Sequence, residues 1–133
     1  MKKIVFALLL LAGLSQSISA QSLKKDTIQK ASMSTELLTF AKKHLSLRYR
    51  SGGTSRKGFD CSGFVRYCFS QFGMLLPHSS AAQISHGIEI ALGEAKEGDL
   101  IFFKGHNAGS QRVGHVGLIL DVKNNYVKFI HSA

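Results

Sequence analysis

The hydrophobic pattern of this chain changes period along its length, and that change limits the fold more than any other feature. Residues 34–72 carry two apolar stripes at helical spacing, whereas the last third carries short apolar runs between Gly- and Asn-containing turns, as strands do. The stripes consist of Leu37, Leu38, Ala41 and Leu45, and of Phe64, Val65, Cys68, Phe69 and Phe72. The expected strands cover residues 99–103, 113–122 and 126–131. Helices first and strands later predict an α+β domain.

Capping and turn residues indicate where these elements end. Ser34 can cap the first helix, and the second helix is expected over residues 61–72 with Gly73 as its C-cap. Asn124 and Asn125 favour a tight turn, so the last two strands are predicted to be antiparallel neighbours.

The first twenty residues have the three parts of a signal peptide. Lys2 and Lys3 precede an apolar run over residues 4–14, and a small, polar segment follows up to Ala20. The run is about eleven residues long, whereas a helix that crosses a bilayer needs about twenty. No cysteine near Ala20 could carry a lipid. We therefore expect cleavage after Ala20 and export to the periplasm or the cell exterior without a lipid anchor.

The remainder is expected to hold one domain. Residues 21–33 are polar with weak periodicity and are predicted to be a mobile lead-in, followed by the domain over residues 34–133. We expect a monomer.

The net charge limits the possible partners. It is +9 for the whole chain and +7 once Lys2 and Lys3 are removed, with 15 basic and 8 acidic residues remaining. Export and the scattered basic residues argue against nucleic acid. An anionic polymer or peripheral contact with the cell envelope fits such a surface, as does a charge that only keeps the protein soluble.

The two cysteines of the chain, Cys61 and Cys68, lie seven residues apart. On one helix this spacing corresponds to about 10.5 Å along the axis, beyond the Cα separation of about 7 Å that a disulfide allows. A zinc site made of Cys61, His106 and His115 lacks the closely spaced ligand pairs of such sites. We expect no metal and no cofactor, and we place Cys68 in the apolar stripe.

Cys61 differs from Cys68 because it begins the second helix. The N–H groups and the helix dipole at such a position favour a thiolate, so a lowered pKa is expected. His115 lies in a strand with Gly117 on the same face, which leaves space beside it. Without Cys61, it would be interpreted as a core or edge histidine. His131 lies on the next strand. A hairpin about the two asparagines places it opposite Leu118, one residue away from the row of His115.

Several motifs around these residues resemble the signature of the NlpC/P60 cysteine peptidases. They run from Tyr49 to His131 in the family's order. In this sequence they read YRSGGTSRKGFDCSGFV (49–65), LPHSS (76–80), EGDLIFF (97–103), GHVG (114–117) and FIH (129–131). The resemblance implies a papain-like α+β fold, with N-terminal helices and the nucleophile helix packed on an antiparallel sheet. It also implies hydrolysis of peptide bonds in cell-wall peptidoglycan, with peptidoglycan peptides as the partner.

The resemblance also implies roles for individual residues. Cys61 corresponds to the nucleophile, His115 to the base and His131 to the third residue, which orients the base. Three further residues match positions that line the substrate site: Tyr49, Asp60 and Ser62.

This chain departs from the family pattern at two places. His78 stands where relatives commonly have arginine. Relatives also continue with further strands, so we expect the catalytic domain to be incomplete at its C-terminus, with the His131 strand as an exposed edge.

Two alternative functions are compatible with these motifs. One is an amidase or acyltransferase with the same catalytic set, and the other is an inactive wall-binding remnant. The peptide bond that is cut is left open.

Overall fold

The computed structural model describes residues 4–7, 20–107 and 109–133, and it confirms the predicted α+β class. Its helices are α1 (Ala20–Lys42), α2 (Cys61–Ser70) and α3 (Ser80–Gln83), with 3-10 turns at Ile84–His86 and Leu92–Glu94. Its strands are β1 (Ile4–Ala7), β2 (Thr54–Ser55), β3 (Gly58–Phe59), β4 (Ile88–Ile90), β5 (Leu100–Lys104), β6 (Val113–Lys123) and β7 (Tyr126–Ile130). No described helix is long and apolar enough to cross a membrane.

Helix α1 begins fourteen residues before the expected start. The segment 21–33, expected as a mobile lead-in, is helical, and Ser34 lies inside the helix instead of capping it. The Ser34 hydroxyl donates to the backbone carbonyl of Glu97 at 2.8 Å, so it ties the helix to the loop before β5. Residues 21–33 contain no Gly or Pro to interrupt a helix. Leu45 was expected on the apolar stripe but lies beyond the end of α1 and is exposed.

Helix α2 begins where its sequence predicts and ends at Ser70, two residues before the expected end, with Gly73 in the turn that follows. It starts at Cys61 with Asp60 as its N-cap. Gly73 has a φ of +77°, and the Met74 N–H donates to the carbonyl of Phe69, five positions earlier in the chain. This is the pairing of a Schellman C-cap. The apolar stripe of the helix packs against residues of the sheet.

Five of the described strands form an antiparallel sheet in the order β4-β1-β5-β6-β7, and β2 and β3 pair separately. The three strands expected in the last third are β5, β6 and β7, and Asn124 and Asn125 form the turn with φ values of 49° and 64°. Both values suit a type I′ hairpin turn. Among the described strands, β7 lies at one edge of this sheet and β4 at the other. β1 falls within the predicted signal peptide, most of which lies outside the described residues, so cleavage after Ala20 stays a prediction.

Both faces of the sheet are covered. The main core fills the space between the helices and one face, and its buried members include Phe64, Val65, Cys68, Phe69, Leu100, Phe102, Val116 and Leu118. A smaller cluster covers the other face around Ile101 and Ile119, with Phe103 and Phe129 packed against it. This packing fixes α2 across β6, which brings the start of the helix to the strand that carries His115.

Candidate active site

The first turn of α2 is held by Asp60. Its Oδ1 accepts the N–H of Gly63 at 2.7 Å and the hydroxyl of Ser62 at 3.1 Å. This is the bonding expected of an aspartate N-cap, and it makes Cys61 the first helical residue. The carbonyl of Gly53 lies where a Cβ on Gly63 would stand, so the loop before α2 packs directly on this turn. The Asp60 carboxylate and the loop that contains Gly53 therefore both hold this turn in place.

The Cys61 thiol faces β6. It is half-buried, and the backbone N–H of Val116, the residue after His115, hydrogen-bonds to it. Burial raises the pKa of Cys61 above its ordinary value of 9.0, the N–H groups of Val116, Ser62 and Cys61 itself lower it, and the Asp60 carboxylate raises it further. The expectation of a lowered pKa is wrong, because desolvation between α2 and β6 outweighs the helix-start N–H groups.

His115 and His131 are hydrogen-bonded to each other. His115 Nε2 lies 2.9 Å from His131 Nδ1, and the two rings are perpendicular with centroids 5.0 Å apart. Burial lowers the pKa of His115, and the charges of His131 and His106 lower it further. His115 is therefore held in one orientation and biased toward the neutral imidazole, which is the form that can accept a proton.

The pairing of these histidines depends on a β-bulge. A shift between Ile119 and Asp121 moves the register of β6 against β7 by one residue. The turn position alone places His131 opposite Leu118, whereas continuation of the shifted pairing places it in the row of His115. The bulge thus aligns the two rings.

Aromatic rings surround the histidine pair. Phe103 lies 5.9 Å from His115 and Phe129 lies 5.1 Å from His131, measured between ring centroids. The space expected beside His115 is filled, since a Cβ on Gly117 would lie 2.5 Å from Cδ2 of Phe129. The glycine accommodates the ring that supports His131.

The three expected substrate-site residues lie around the same turn. Tyr49 is 52% exposed and forms a parallel bridge with Phe59, the residue before Asp60. Ser62 is buried and uses its hydroxyl on Asp60, whereas the Asp60 side chain is 17% exposed. Tyr49 is thus the most accessible of the three.

Sequence reasoning missed two contacts at this site. His78, noted in the sequence only as a departure from the family pattern, places its Nε2 2.8 Å from Asp60 Oδ2. Gln83, which is 2% exposed, donates from Nε2 to the carbonyls of Ser62 and Pro77, each at 2.9 Å. The resemblance drew attention to His78 through its position after Leu-Pro, whereas a buried glutamine in a four-residue helix gives no periodic signal. Within the described residues, no group of three or more potential ligand side chains could hold a metal ion.

The chain is similar in sequence to known proteins. The sequence model of the NlpC/P60 family matches residues 46–133. The "Probable endopeptidase p60" of Listeria innocua is 39% identical over 102 residues, covering 73% of this chain and 22% of the relative. The "Murein DD-endopeptidase MepS/Murein LD-carboxypeptidase" of Escherichia coli is 39% identical over 88 residues, covering 65% of this chain and 43% of the relative.

A solved structure shares the fold. The crystal structure of a Staphylococcus aureus protein, described as similar to lipoprotein and of the NLP/P60 family, superposes with a TM-score of 0.67 at 30% identity. The match covers 77% of this chain and 34% of that protein. This chain therefore spans between about a fifth and two fifths of the length of these relatives.

Proposed function

Because the chain belongs to the NlpC/P60 family, we propose that it is a cysteine endopeptidase that cleaves peptide bonds in peptidoglycan stem peptides or their cross-links. The observation that carries this proposal is the hydrogen bond between His115 Nε2 and His131 Nδ1, one residue from the N–H that contacts the Cys61 thiol. A nucleophile, a base and a group that orients the base are the parts that such catalysis requires. The murein endopeptidase named among the relatives supports the choice of substrate.

The pKa shifts suggest how the nucleophile is activated. The pKa of Cys61 is raised and that of His115 is lowered, in both cases mainly by burial, so the resting pair is an uncharged thiol and an uncharged imidazole. With Nε2 of His115 engaged by His131, Nδ1 is the nitrogen left to take the thiol proton. We infer that this transfer accompanies attack of sulfur on the peptide carbonyl.

The remaining steps use the same groups. The C–S bond forms, the C–N bond breaks, and the proton held by His115 passes to the leaving amine. Water then attacks the thioester while His115 accepts its proton, which is returned to the sulfur of Cys61 as the acid leaves. The backbone N–H of Cys61 at the helix start is the proposed donor to the oxyanion.

The substrate is proposed to bind beside the first turn of α2. Tyr49 offers an exposed ring, and Asp60 offers a partly exposed carboxylate next to Cys61. Ser62 contributes by fixing that carboxylate rather than by open contact, since its hydroxyl is already bonded to Asp60.

We propose further that residues 1–20 direct export and that cleavage after Ala20 releases a monomer into the periplasm or the cell exterior. Contact with the envelope would be peripheral and would use the basic surface. N-terminal sequencing of the exported protein should begin at Gln21; a chain that keeps Met1 would contradict this.

Digestion of purified peptidoglycan tests the activity. The wild type should release peptides with new amino and carboxyl termini, detected by mass spectrometry, and Cys61→Ala should release none. Cys68→Val is the matched control, since it removes the other cysteine and should retain activity. Identical products from the wild type and Cys61→Ala would refute the proposal.

The product masses also separate the alternatives. An amidase would free stem peptides from sugar, and an acyltransferase would move an acyl group to a second amine. Retention on wall material without turnover would indicate a binding remnant.

A further inference from the structure

One carboxylate connects His78 to the turn that carries the nucleophile. Asp60 Oδ2 lies 2.8 Å from His78 Nε2, while Oδ1 of the same carboxylate caps the helix through the N–H of Gly63 and accepts the Ser62 hydroxyl. The side chains of His78 and Asp60 are 28% and 17% exposed. The imidazole therefore contacts the group that fixes the first turn of α2, from a position that water can still reach.

The segment that carries His78 is tied to the same turn by a second link. The buried Gln83 donates to the carbonyl of Pro77, the residue before His78, and to that of Ser62, the residue after Cys61. The Gln83 side chain thus links the residue before His78 to the first turn of α2, which Asp60 caps. This link holds His78 close to the Asp60 carboxylate.

The charges around this pair are few. His78 makes the single close ion-pair contact found among the described residues, and it is the basic group on Asp60. The thiol of Cys61, the residue after Asp60, feels the charge of the carboxylate, and the backbone N–H of Val116 approaches the thiol from β6, the strand that carries His115. Burial is the main reason that the pKa of Cys61 is raised, and the charge of Asp60 adds to it.

We propose that His78 is a positioning residue whose protonation decides how much of the Asp60 charge reaches Cys61, so that the reactivity of the thiol is coupled to the charge of His78. A protonated imidazole neutralises the carboxylate and eases formation of the thiolate. A neutral imidazole keeps the hydrogen bond to Oδ2 but leaves the charge in place. Imidazole changes its charge between about pH 5 and 8, whereas an arginine at this position would stay charged.

The inference rests on the proposed function only in taking Cys61 as the nucleophile, and its test needs no substrate. The rate of alkylation of Cys61 by iodoacetamide is measured from pH 5 to pH 8.5 in the wild type, His78→Arg and His78→Gln. Tryptic cleavage after Lys57 and Arg66 separates Cys61 from the other cysteine, so mass spectrometry reads it alone.

The wild type should follow the arginine variant at pH 5 and the glutamine variant at pH 8.5. The two variants should differ roughly three- to tenfold, as expected for a unit charge several ångströms from the thiol at a protein surface. All three proteins share His115 and His131, so the titration of those residues cancels in the ratio of rates. A wild type that follows one variant over the whole range, or three coincident profiles, would overturn the inference.

His86→Gln is the matched control. His86 bonds to the backbone carbonyl of Ala82 and makes no described contact with a carboxylate, so its substitution should leave the profile unchanged. Should a His78 variant fold poorly, Asp60→Asn is alkylated over the same pH range. Removal of the carboxylate should make Cys61 react faster than in the wild type at pH 8.5, and an unchanged rate would overturn the coupling. Absence of peptidoglycan cleavage by the wild type would refute the proposed function and would leave the measured rates of Cys61 alkylation unchanged.

Discussion

His131 Nδ1 and His115 Nε2 lie 2.9 Å apart with perpendicular rings, beside the rings of Phe103 and Phe129. The contact fixes the ring orientation of His115. It also places a second titratable group close enough to lower the pKa of His115, after burial and ahead of His106.

Substitution of His131 should therefore change both the rate and its pH dependence. His131→Ala is expected to lower kcat about a hundredfold, because His115 loses its orienting partner, whereas His131→Asn can still bond to Nε2 and should lose about tenfold. The rate requires neutral His115, so it rises as the pH passes the pKa of His115. Removal of the His131 charge raises that pKa, and the acidic limb of the kcat profile should move to higher pH.

His106→Asn is the control for the previous experiment. It removes a charge that also lowers the pKa of His115 but makes no described hydrogen bond to that ring. Its acidic limb should shift slightly in the same direction while the plateau of kcat stays at the wild-type value. Equal plateaus in the His131 and His106 variants would contradict the orienting role of His131.

Gly117→Ala should disturb the site through packing alone. The added Cβ would stand 2.5 Å from Cδ2 of Phe129, whose ring packs on Phe103 and His131. We expect a loss of about 1–3 kcal/mol in the free energy of unfolding from overpacking, measured by urea denaturation, together with reduced activity. Gly93→Ala meets no atom within 4 Å and should change stability by less than about 0.5 kcal/mol. Equal effects of the two substitutions would contradict the assigned role of Gly117.

Apolar periodicity explains which elements could be predicted from the sequence. Helix α2 and the strands β5, β6 and β7 each pack against a core. Their buried positions are therefore apolar and recur at the spacing of a helix or a strand. The side chains of residues 20–32 in α1 are exposed, and without a buried face that half of the helix carries no stripe. Its length was missed for that reason, although nothing in the segment opposes a helix.

Details of the site depended on tertiary packing that one-dimensional patterns do not encode. The turn at Asn124 could be located, but the bulge after Ile119 that aligns His131 could not. The helix start at Cys61 predicted a lowered pKa, whereas the extent of burial against β6 decides the sign. Gln83 was missed because a hydrogen bond to a backbone carbonyl twenty-one residues away leaves no local trace.

Gln83→Leu should destabilise the domain and the nucleophile turn together. It removes the donors to the carbonyls of Ser62 and Pro77 and leaves both without this partner in a buried region. We expect a loss of about 2 kcal/mol or more in the free energy of unfolding, measured by urea denaturation. Gln71→Leu is the control: its amide is exposed and lies 3.4 Å from the Ser70 hydroxyl. A comparable loss in both variants would argue against the link that Gln83 provides.

Cys68 should make the fold sensitive to alkaline pH. Burial raises its pKa from 9.0 to about 12, so the folded state keeps the thiol protonated where the unfolded state loses the proton. The stability that this provides is complete below pH 9 and is lost as the pH rises from 9 toward 12. At pH 10 the loss should reach about 1.4 kcal/mol. In Cys68→Val this loss is absent, so the free energy of unfolding of the variant relative to wild type should be constant from pH 7 to 8.5 and then rise. Other alkaline groups are common to both proteins and cancel, so a difference that stays flat to pH 10 would show that Cys68 does not titrate on unfolding.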